Sequence, residues 1–135
     1  MGRLASLRRL GAAERRTLAA AWLLLLIVPP FLRVLPLRRL LTPPRRSGGL
    51  QLSSERVARL VEIAARRVPR ARCLSVAIVT AWLLARQGTP AILRIGVARH
   101  ATRLTAHAWL ECGGVPLLDD VGHYTPILAV AVATS

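Results

Sequence analysis

The spacing of apolar residues changes once along this chain, near Gly88, and that change limits the folds open to it. Before Gly88 the apolar residues recur at helical intervals. After Gly88 they form short runs separated by turn residues, which is typical of β-strands. Helices followed by antiparallel strands indicate an α+β domain. The sequence therefore predicts an α+β fold in which helices come first and pack on a small antiparallel sheet.

Two helices are predicted just before this change. The first begins at Ser53-Ser54-Glu55, which is a helix-start signal, and Pro69 ends it. Its apolar stripe consists of Val57, Leu60, Val61 and Ala64. The second begins at about Cys73 and ends at Arg86-Gln87-Gly88, with a cation in the last turn and glycine at the exit. Because the second helix is apolar on most sides, it is predicted to be central.

The remaining residues predict four strands and a glycine hairpin. The predicted strands are residues 90–97, 105–112, 115–118 and 124–132. Gly113-Gly114 marks the hairpin. A two-residue turn there would place His107 opposite Asp120, whereas a three-residue loop from Cys112 to Gly114 with a bulge would place it opposite Asp119. We predict the bulged register.

The first 46 residues are predicted to form a helical extension rich in Leu and Arg. Residues 18–32 are apolar without interruption, but a membrane-spanning helix needs about 20 apolar residues. Two prolines, Pro29 and Pro30, fall inside this run, and no small-residue cleavage site follows it, which disfavours a signal peptide. We interpret it as a buried or partner-docking helix rather than a membrane contact. The predicted organisation is an extension over 1–46, a linker over 47–52 and a compact domain over 53–135.

The charge of the chain favours an acidic partner. All 20 basic residues are Arg, and against 6 acids they give a formal charge of +14. Residues 1–46 alone hold ten Arg and a single acid, Glu14. No Arg stripe with interleaved aromatics and no reader helix is found, so nucleic acid is not predicted as a partner. Two cysteines are too few for a disulfide scaffold, which favours a cytoplasmic location.

Three residues supply the groups of a cysteine nucleophile, its base and the carboxylate that orients the base. They are Cys73, His107 and Asp119, in that order along the chain. Cys73 falls at a predicted helix N-terminus, where backbone N–H groups and the helix dipole favour the thiolate. Arg70 and Arg72 beside it would add to this effect if they point inward.

His107 falls on the polar face of its predicted strand. That face also carries Trp109 and Glu111, which are candidate substrate-binding residues at a groove. Cys112 lies at the hairpin and is interpreted as incidental. No metal-ligand set and no cofactor motif is found, so neither a metal nor a cofactor is predicted.

An ordered set of short matches resembles one family. They are Arg72-Cys73-Leu74, residues 83–91, Ile95-Gly96-Val97, residues 106–111, Gly114, Pro116 and Asp119. Over residues 53–130 the sequence resembles the leader peptidases of lasso peptide biosynthesis, a branch of the transglutaminase-like cysteine proteases. The Leu- and Arg-rich opening is similar to the N-terminal helical region of that family. The chain departs from the family at Val76, where relatives often carry a basic residue.

The resemblance implies a papain-like fold and a peptidase that removes the leader from a ribosomally made precursor. It implies Cys73 as nucleophile, His107 as base and Asp119 as the orienting carboxylate. The chain is too short for a fused recognition domain, so the resemblance implies the split form, which works with a separate leader-recognition protein. A separate ATP-using cyclase would then close the ring. Residues 1–46 are hypothesised to dock the recognition protein, the cyclase or the inner membrane face.

Two other functions stay open on the sequence. The first keeps the same residues but transfers the acyl group to an amine, as a transglutaminase does, instead of to water. The second is a non-catalytic basic scaffold or membrane adaptor, in which Cys73 and His107 are structural. Product mass separates the first alternative from hydrolysis, and loss of activity on replacing Cys73 excludes the second.

Overall fold

Helix α1, Ala12–Leu32, contains the whole of the apolar run predicted over residues 18–32 and begins six residues before it. The structure, a computed structural model, describes residues 11–34, 52–68, 73–117, 122 and 124–132. Pro29 and Pro30 lie in the last turn of α1, and because neither has an N–H to donate to the carbonyl four residues earlier, the helix ends two residues after Pro30. None of the helices in this described part combines the length and the hydropathy needed to span a bilayer. The predicted extension over 1–46 lies outside the described residues except for residues 11–34, and the predicted linker lies outside them except for Leu52.

Helix α2, Ser54–Ala65, begins and packs as its sequence predicts. The side chain of Ser53 accepts a hydrogen bond from the backbone N–H of Arg56 at 3.2 Å, which caps the helix. The predicted stripe is buried, and it consists of Val57, Leu60, Val61 and Ala64. Arg56 also binds the Glu14 carboxylate of α1 at 2.9 Å, and this hydrogen bond lowers the pKa of Glu14. The stripe and this ion pair hold α2 against its neighbours.

Helix α3, Cys73–Arg86, is central, as predicted. Nine of its fourteen residues are buried, so it is enclosed on most sides. It ends where Gly88 adopts a φ of +80° and the Thr89 N–H binds the Leu84 carbonyl at 2.9 Å. The Gln87 side chain then donates to the Leu52 carbonyl at 2.6 Å, which ties the end of α3 to the residue before the α2 cap. The helix that begins with Cys73 is therefore anchored at its far end.

Four strands form one antiparallel sheet in the order β3-β2-β1-β4. They are β1 Ala91–His100, β2 Arg103–Cys112, β3 Val115–Pro116 and β4 Thr125–Val132. Strands β1 and β2 extend further than predicted and pair down to His100 and Arg103. The tight turn between them places Ala101 at φ +55°, and no glycine, proline or asparagine in the sequence marks it. That is why the sequence pattern ended both strands early.

The prediction of a bulged three-residue turn after β2 is wrong. Cys112 pairs with Val115, so the turn holds two residues, Gly113 and Gly114. Both glycines have positive φ, +60° and +81°, which is the type I′ geometry that matches strand twist. Two adjacent glycines supply this turn without strain, and that removes the need for a bulge. The register continues at least to Leu117, whose N–H binds the Leu110 carbonyl at 2.9 Å.

The core lies between the three helices and one face of the sheet. Its buried members include Ala21, Leu25 and Val28 of α1, Val57 and Val61 of α2, Ile78 and Leu84 of α3, and Leu93, Ala108 and Leu110 of the sheet. Helix α1 therefore shares a single core with α2 and α3. Three helices and a four-stranded antiparallel sheet in the described residues confirm the predicted α+β class.

Candidate active site

Cys73 is the first residue of α3, and its side chain is exposed. The backbone N–H groups of the first helical turn have no acceptors within the helix, so they favour a negative charge beside them. The predicted position of the thiol at a helix N-terminus is therefore confirmed. Arg70 and Arg72, which the sequence places beside it, lie outside the described residues.

His107 lies in the middle of β2, opposite Gly96 of β1. Its imidazole is half-buried and lies near two aromatic rings. The Trp109 ring is stacked with it at a centroid distance of 6.0 Å and an angle of 21°. The Tyr124 ring, just before β4, lies 5.3 Å away at 35°. The position of the imidazole is thus limited on two sides by aromatic side chains.

Cys73 and His107 line the same open pocket, with a volume of about 130 Å³. Helices α2 and α3, strand β2 and Leu117, which follows β3, all contribute to it. The remaining lining residues are Ala58, Glu62, Val76, Ala77, Thr80, Ala108, Trp109, Leu110 and Leu117. Most of the lining is small and apolar, and the Thr80 hydroxyl donates to the Val76 carbonyl at 2.7 Å. The structure thus brings a thiol at a helix N-terminus and a strand histidine to one mostly apolar cavity.

Trp109 and Glu111, the predicted substrate-binding residues, contact each other. Trp109 is 2% exposed, and its indole N–H donates to Oε1 of Glu111 at 3.3 Å. Oε2 of Glu111 accepts from Nε of Arg94 at 2.6 Å, across the β1–β2 pair. Both carboxylate oxygens therefore have protein donors, while Trp109 borders the pocket. A direct contact of either residue with substrate stays a prediction.

Asp119 and Asp120 lie outside the described residues, so which of them orients His107 stays a prediction. The two-residue turn gives the register that, if continued, would bring Asp120 opposite His107. β3 itself ends at Pro116. The observed turn therefore does not favour Asp119 through a bulge, whereas the family resemblance still implies Asp119.

The second cysteine has a different environment from the first. Cys112 ends β2, is partly buried and packs against the core. Burial raises the pKa of its thiol, and a hydrogen bond with the Ser54 side chain offsets this in part. A buried thiol that resists ionisation is a poor nucleophile. Cys112 does not line the pocket.

Sequence reasoning missed three residues around His107. Arg94 pairs with Glu111, Gly96 lies opposite His107, and Tyr124 packs on both His107 and Trp109. A Cβ at position 96 would lie 2.7 Å from the Trp109 ring, closer than real Cβ atoms approach. A glycine inside a strand is a signal of close approach, and that signal was present in the sequence. The roles of Arg94 and Tyr124 depend on cross-strand pairing, which the sequence does not reveal.

Within the described residues, no group of three or more His, Cys, Asp or Glu side chains is arranged to hold a metal ion. Comparison with curated proteins and with solved structures found no match. The profile of the transglutaminase-like superfamily matches residues 15–129, which includes most of α1 and reaches into β4. Members of that superfamily are typically cysteine proteases or transglutaminases. On this match, the chain belongs to the transglutaminase-like superfamily.

Proposed function

We propose that the protein is a cysteine peptidase that removes the leader from a lasso peptide precursor. The observation that carries the proposal is the pocket shared by Cys73 at the start of α3 and His107 in β2. A thiol at a helix N-terminus and an imidazole at one cavity are the parts that acyl transfer from a peptide needs. The superfamily match supports this class of chemistry. The resemblance of residues 53–130 to leader peptidases supports the choice of substrate.

The proposed reaction passes through a thioester. The Cys73 thiolate attacks the scissile carbonyl, and backbone N–H groups of the first turn of α3 stabilise the oxyanion. His107 gives a proton to the amine of the core peptide, which leaves. A water molecule, deprotonated by His107, then attacks the thioester and releases the leader as a carboxylic acid. Asp119 is the proposed orienting carboxylate for His107.

The proposal includes a separate leader-recognition protein, which we place on the outer face of α1. This face exposes large apolar side chains, Trp22, Leu23, Leu26, Ile27 and Phe31, and Val34 just after the helix is exposed as well. Exposed apolar patches of this kind mark interaction sites. The opposite side of α1 lies in the core, so removing the helix would also unfold the protein. Single substitutions on the outer face are therefore the appropriate test.

The docking test compares two exposed leucines. Leu26→Glu on α1 is expected to weaken binding of the recognition protein by at least about tenfold, because it places a charge in an apolar contact. Leu104→Glu on β2, which is 68% exposed, is the matched control and should leave binding unchanged. Equal binding by both variants would contradict this docking site. Loss of binding to the cyclase or to anionic vesicles instead would assign the α1 face to one of those partners.

The catalytic test is a reconstituted cleavage followed by mass spectrometry. A precursor peptide and its recognition protein are incubated with wild type or with Cys73→Ala, with and without methylamine. We expect a leader fragment ending in a free carboxylic acid, formed by wild type alone. A leader fragment carrying methylamide in preference to the acid would replace the peptidase proposal with amine transfer. Absence of cleavage by folded, partner-bound wild type would favour the scaffold.

A further inference from the structure

The outer face of β1 and β2 carries a connected set of side chains that ends at His107. Alternation along β2 places His107, Trp109 and Glu111 on one face. Cross-strand pairing places Arg94 opposite Trp109 and Gly96 opposite His107. This face differs from the one that holds Ala108 and Leu110 in the core. These residues are therefore neighbours because β1 and β2 pair in this register, and they lie on the opposite face of the sheet from Ala108 and Leu110.

Glu111 connects Arg94 to Trp109, because its carboxylate accepts a hydrogen bond from each of them. Its side chain is 13% exposed, and each of its two carboxylate oxygens has a donor. The Arg94 contact, at 2.6 Å, is a charge-assisted hydrogen bond, the stronger kind. The indole N–H of Trp109 takes the other oxygen at 3.3 Å. Because Arg94 holds the carboxylate, the carboxylate in turn fixes the direction of the indole N–H.

Gly96 fixes the other end of the Trp109 ring. A Cβ there would come within 2.7 and 2.8 Å of Cη2 and Cζ3 of the ring, so the six-membered ring lies directly against the strand backbone. The ring is 2% exposed and is therefore enclosed as well. Its flat face stacks with the imidazole of His107. A ring held at both ends keeps that stacking geometry.

We propose that Glu111 is a positioning residue that acts through Trp109 to hold His107 at the angle needed to pair with Cys73. The inference rests on the proposed roles of Cys73 and His107, and it replaces a groove-lining role for Glu111. Catalytic side chains must be held to within a fraction of an ångström of their working positions. The residues that pack against them and hydrogen-bond to them provide this precision. Arg94 anchors Glu111, and Gly96 makes room for the ring.

The test measures alkylation of Cys73 by iodoacetamide, which needs no peptide substrate. The thiolate displaces iodide and forms a thioether, so the rate reports how much thiolate the imidazole maintains. The rate is read by mass spectrometry on the peptide that contains Cys73, which separates it from Cys112. Glu111→Gln and Trp109→Phe are each expected to slow the reaction by about tenfold. The double variant should be no slower than either single one, because Glu111 acts through Trp109.

Two further variants make the outcome decisive. Glu14→Gln makes the same carboxylate-to-amide change in another Arg pair, that with Arg56, and should react at the wild-type rate. His107→Ala should react at least as slowly as Glu111→Gln. If His107→Ala is slow and folded Glu111→Gln is as fast as wild type, the positioning role is wrong while the proposed pair stands. If His107→Ala reacts at the wild-type rate, the pair itself is wrong, and the positioning role falls with it.

Thermal melting of each variant confirms that it is folded before rates are compared. If Glu111→Gln does not fold, Trp109→Phe decides alone, because it keeps an aromatic ring beside His107 but removes the indole N–H that binds Glu111 and the ring atoms that lie against Gly96. A wild-type alkylation rate in Trp109→Phe would then overturn the proposal, and a slower rate would support it. If the two single effects multiply in the double variant, Glu111 and Trp109 act separately, which also contradicts the proposal.

Discussion

At the scale of single residues, the contact between Gly96 and Trp109 is the tightest constraint around His107. The Trp109 ring occupies the space that a Cβ at position 96 would need, and the Thr125 carbonyl of β4 lies 3.0 Å from the same point. β1 is also irregular there, since the β4 register shifts between Ile95 and Gly96. A glycine is required at this position by steric fit and not by a positive φ.

Gly96→Ala should therefore be destabilising and should displace Trp109. We expect a loss of about 1 to 3 kcal/mol in the free energy of unfolding, the usual cost of overpacking a rigid site. Urea unfolding measures it, and tryptophan fluorescence reports the ring. Gly11→Ala adds the same methyl group where nothing lies within 4 Å, so it should cost no more than about 1 kcal/mol as a weaker cap. Equal costs for the two variants would contradict the contact.

The thiol of Cys112 makes stability depend on pH. Burial raises the pKa of Cys112 in the folded protein, so the folded state holds this proton more tightly than the unfolded chain does. Its contribution is complete below the unfolded-state pKa of about 8.5 and is lost as the pH rises through the folded-state pKa. Between about pH 7 and about pH 10, wild type should lose more free energy of unfolding than Cys112→Ala does. An identical pH dependence of both proteins in urea unfolding would show that Cys112 does not contribute.

At the scale of elements, α1 has one face in the core and one face in solvent, although both are apolar. Leu25 is 0% exposed and packs with α2 and α3, whereas the neighbouring Leu26 is 45% exposed. Because the residues on both faces of α1 are apolar, the sequence does not show which face is buried. Only the packing of α2 and α3 decides which side of α1 is buried.

These two leucines give a matched pair of variants. Leu25→Ala should lower the free energy of unfolding by about 2 to 5 kcal/mol, because it removes methyl groups from a packed core. Leu26→Ala should cost less than about 1 kcal/mol. Both are measured by urea unfolding. Similar costs at the two positions would mean that α1 does not pack through the face that contains Ala21, Leu25 and Val28.

Much of the element pattern could be predicted from local signals. Ser53 predicts the start of α2, and Gly88 predicts the end of α3. Helix capping and a positive φ depend only on a few neighbouring residues, so the sequence shows them directly. The turn at Ala101 and the two-residue hairpin at Gly113 were missed or misjudged. Both turns join strands that are adjacent in the chain, and each turn length follows from the register of its strand pair. No turn residue marks Ala101, and a pair of glycines is compatible with more than one loop length.

At the scale of the whole molecule, the fold carries Cys73 and His107 to one pocket from different layers. The sequence identified both residue types and placed Cys73 at a helix start, because a nucleophile and its helix are local features. The contacts of Arg94 and Gly96 near His107 depend on how β1 pairs with β2. The sequence alone does not give that register, so it assigned no role to either residue. Asp119 belongs to the part of the account that stays a prediction.

The central claim is that Cys73 carries the acyl group of the leader during the reaction. The most direct measurement is the intact mass of the protein after rapid acid quenching of its reaction with precursor and recognition protein. We expect a species heavier than the protein by the leader acyl group, with the added mass on the peptide that contains Cys73. Cys73→Ala should give no such species. An adduct on Cys112, or full leader release by Cys73→Ala, would contradict it.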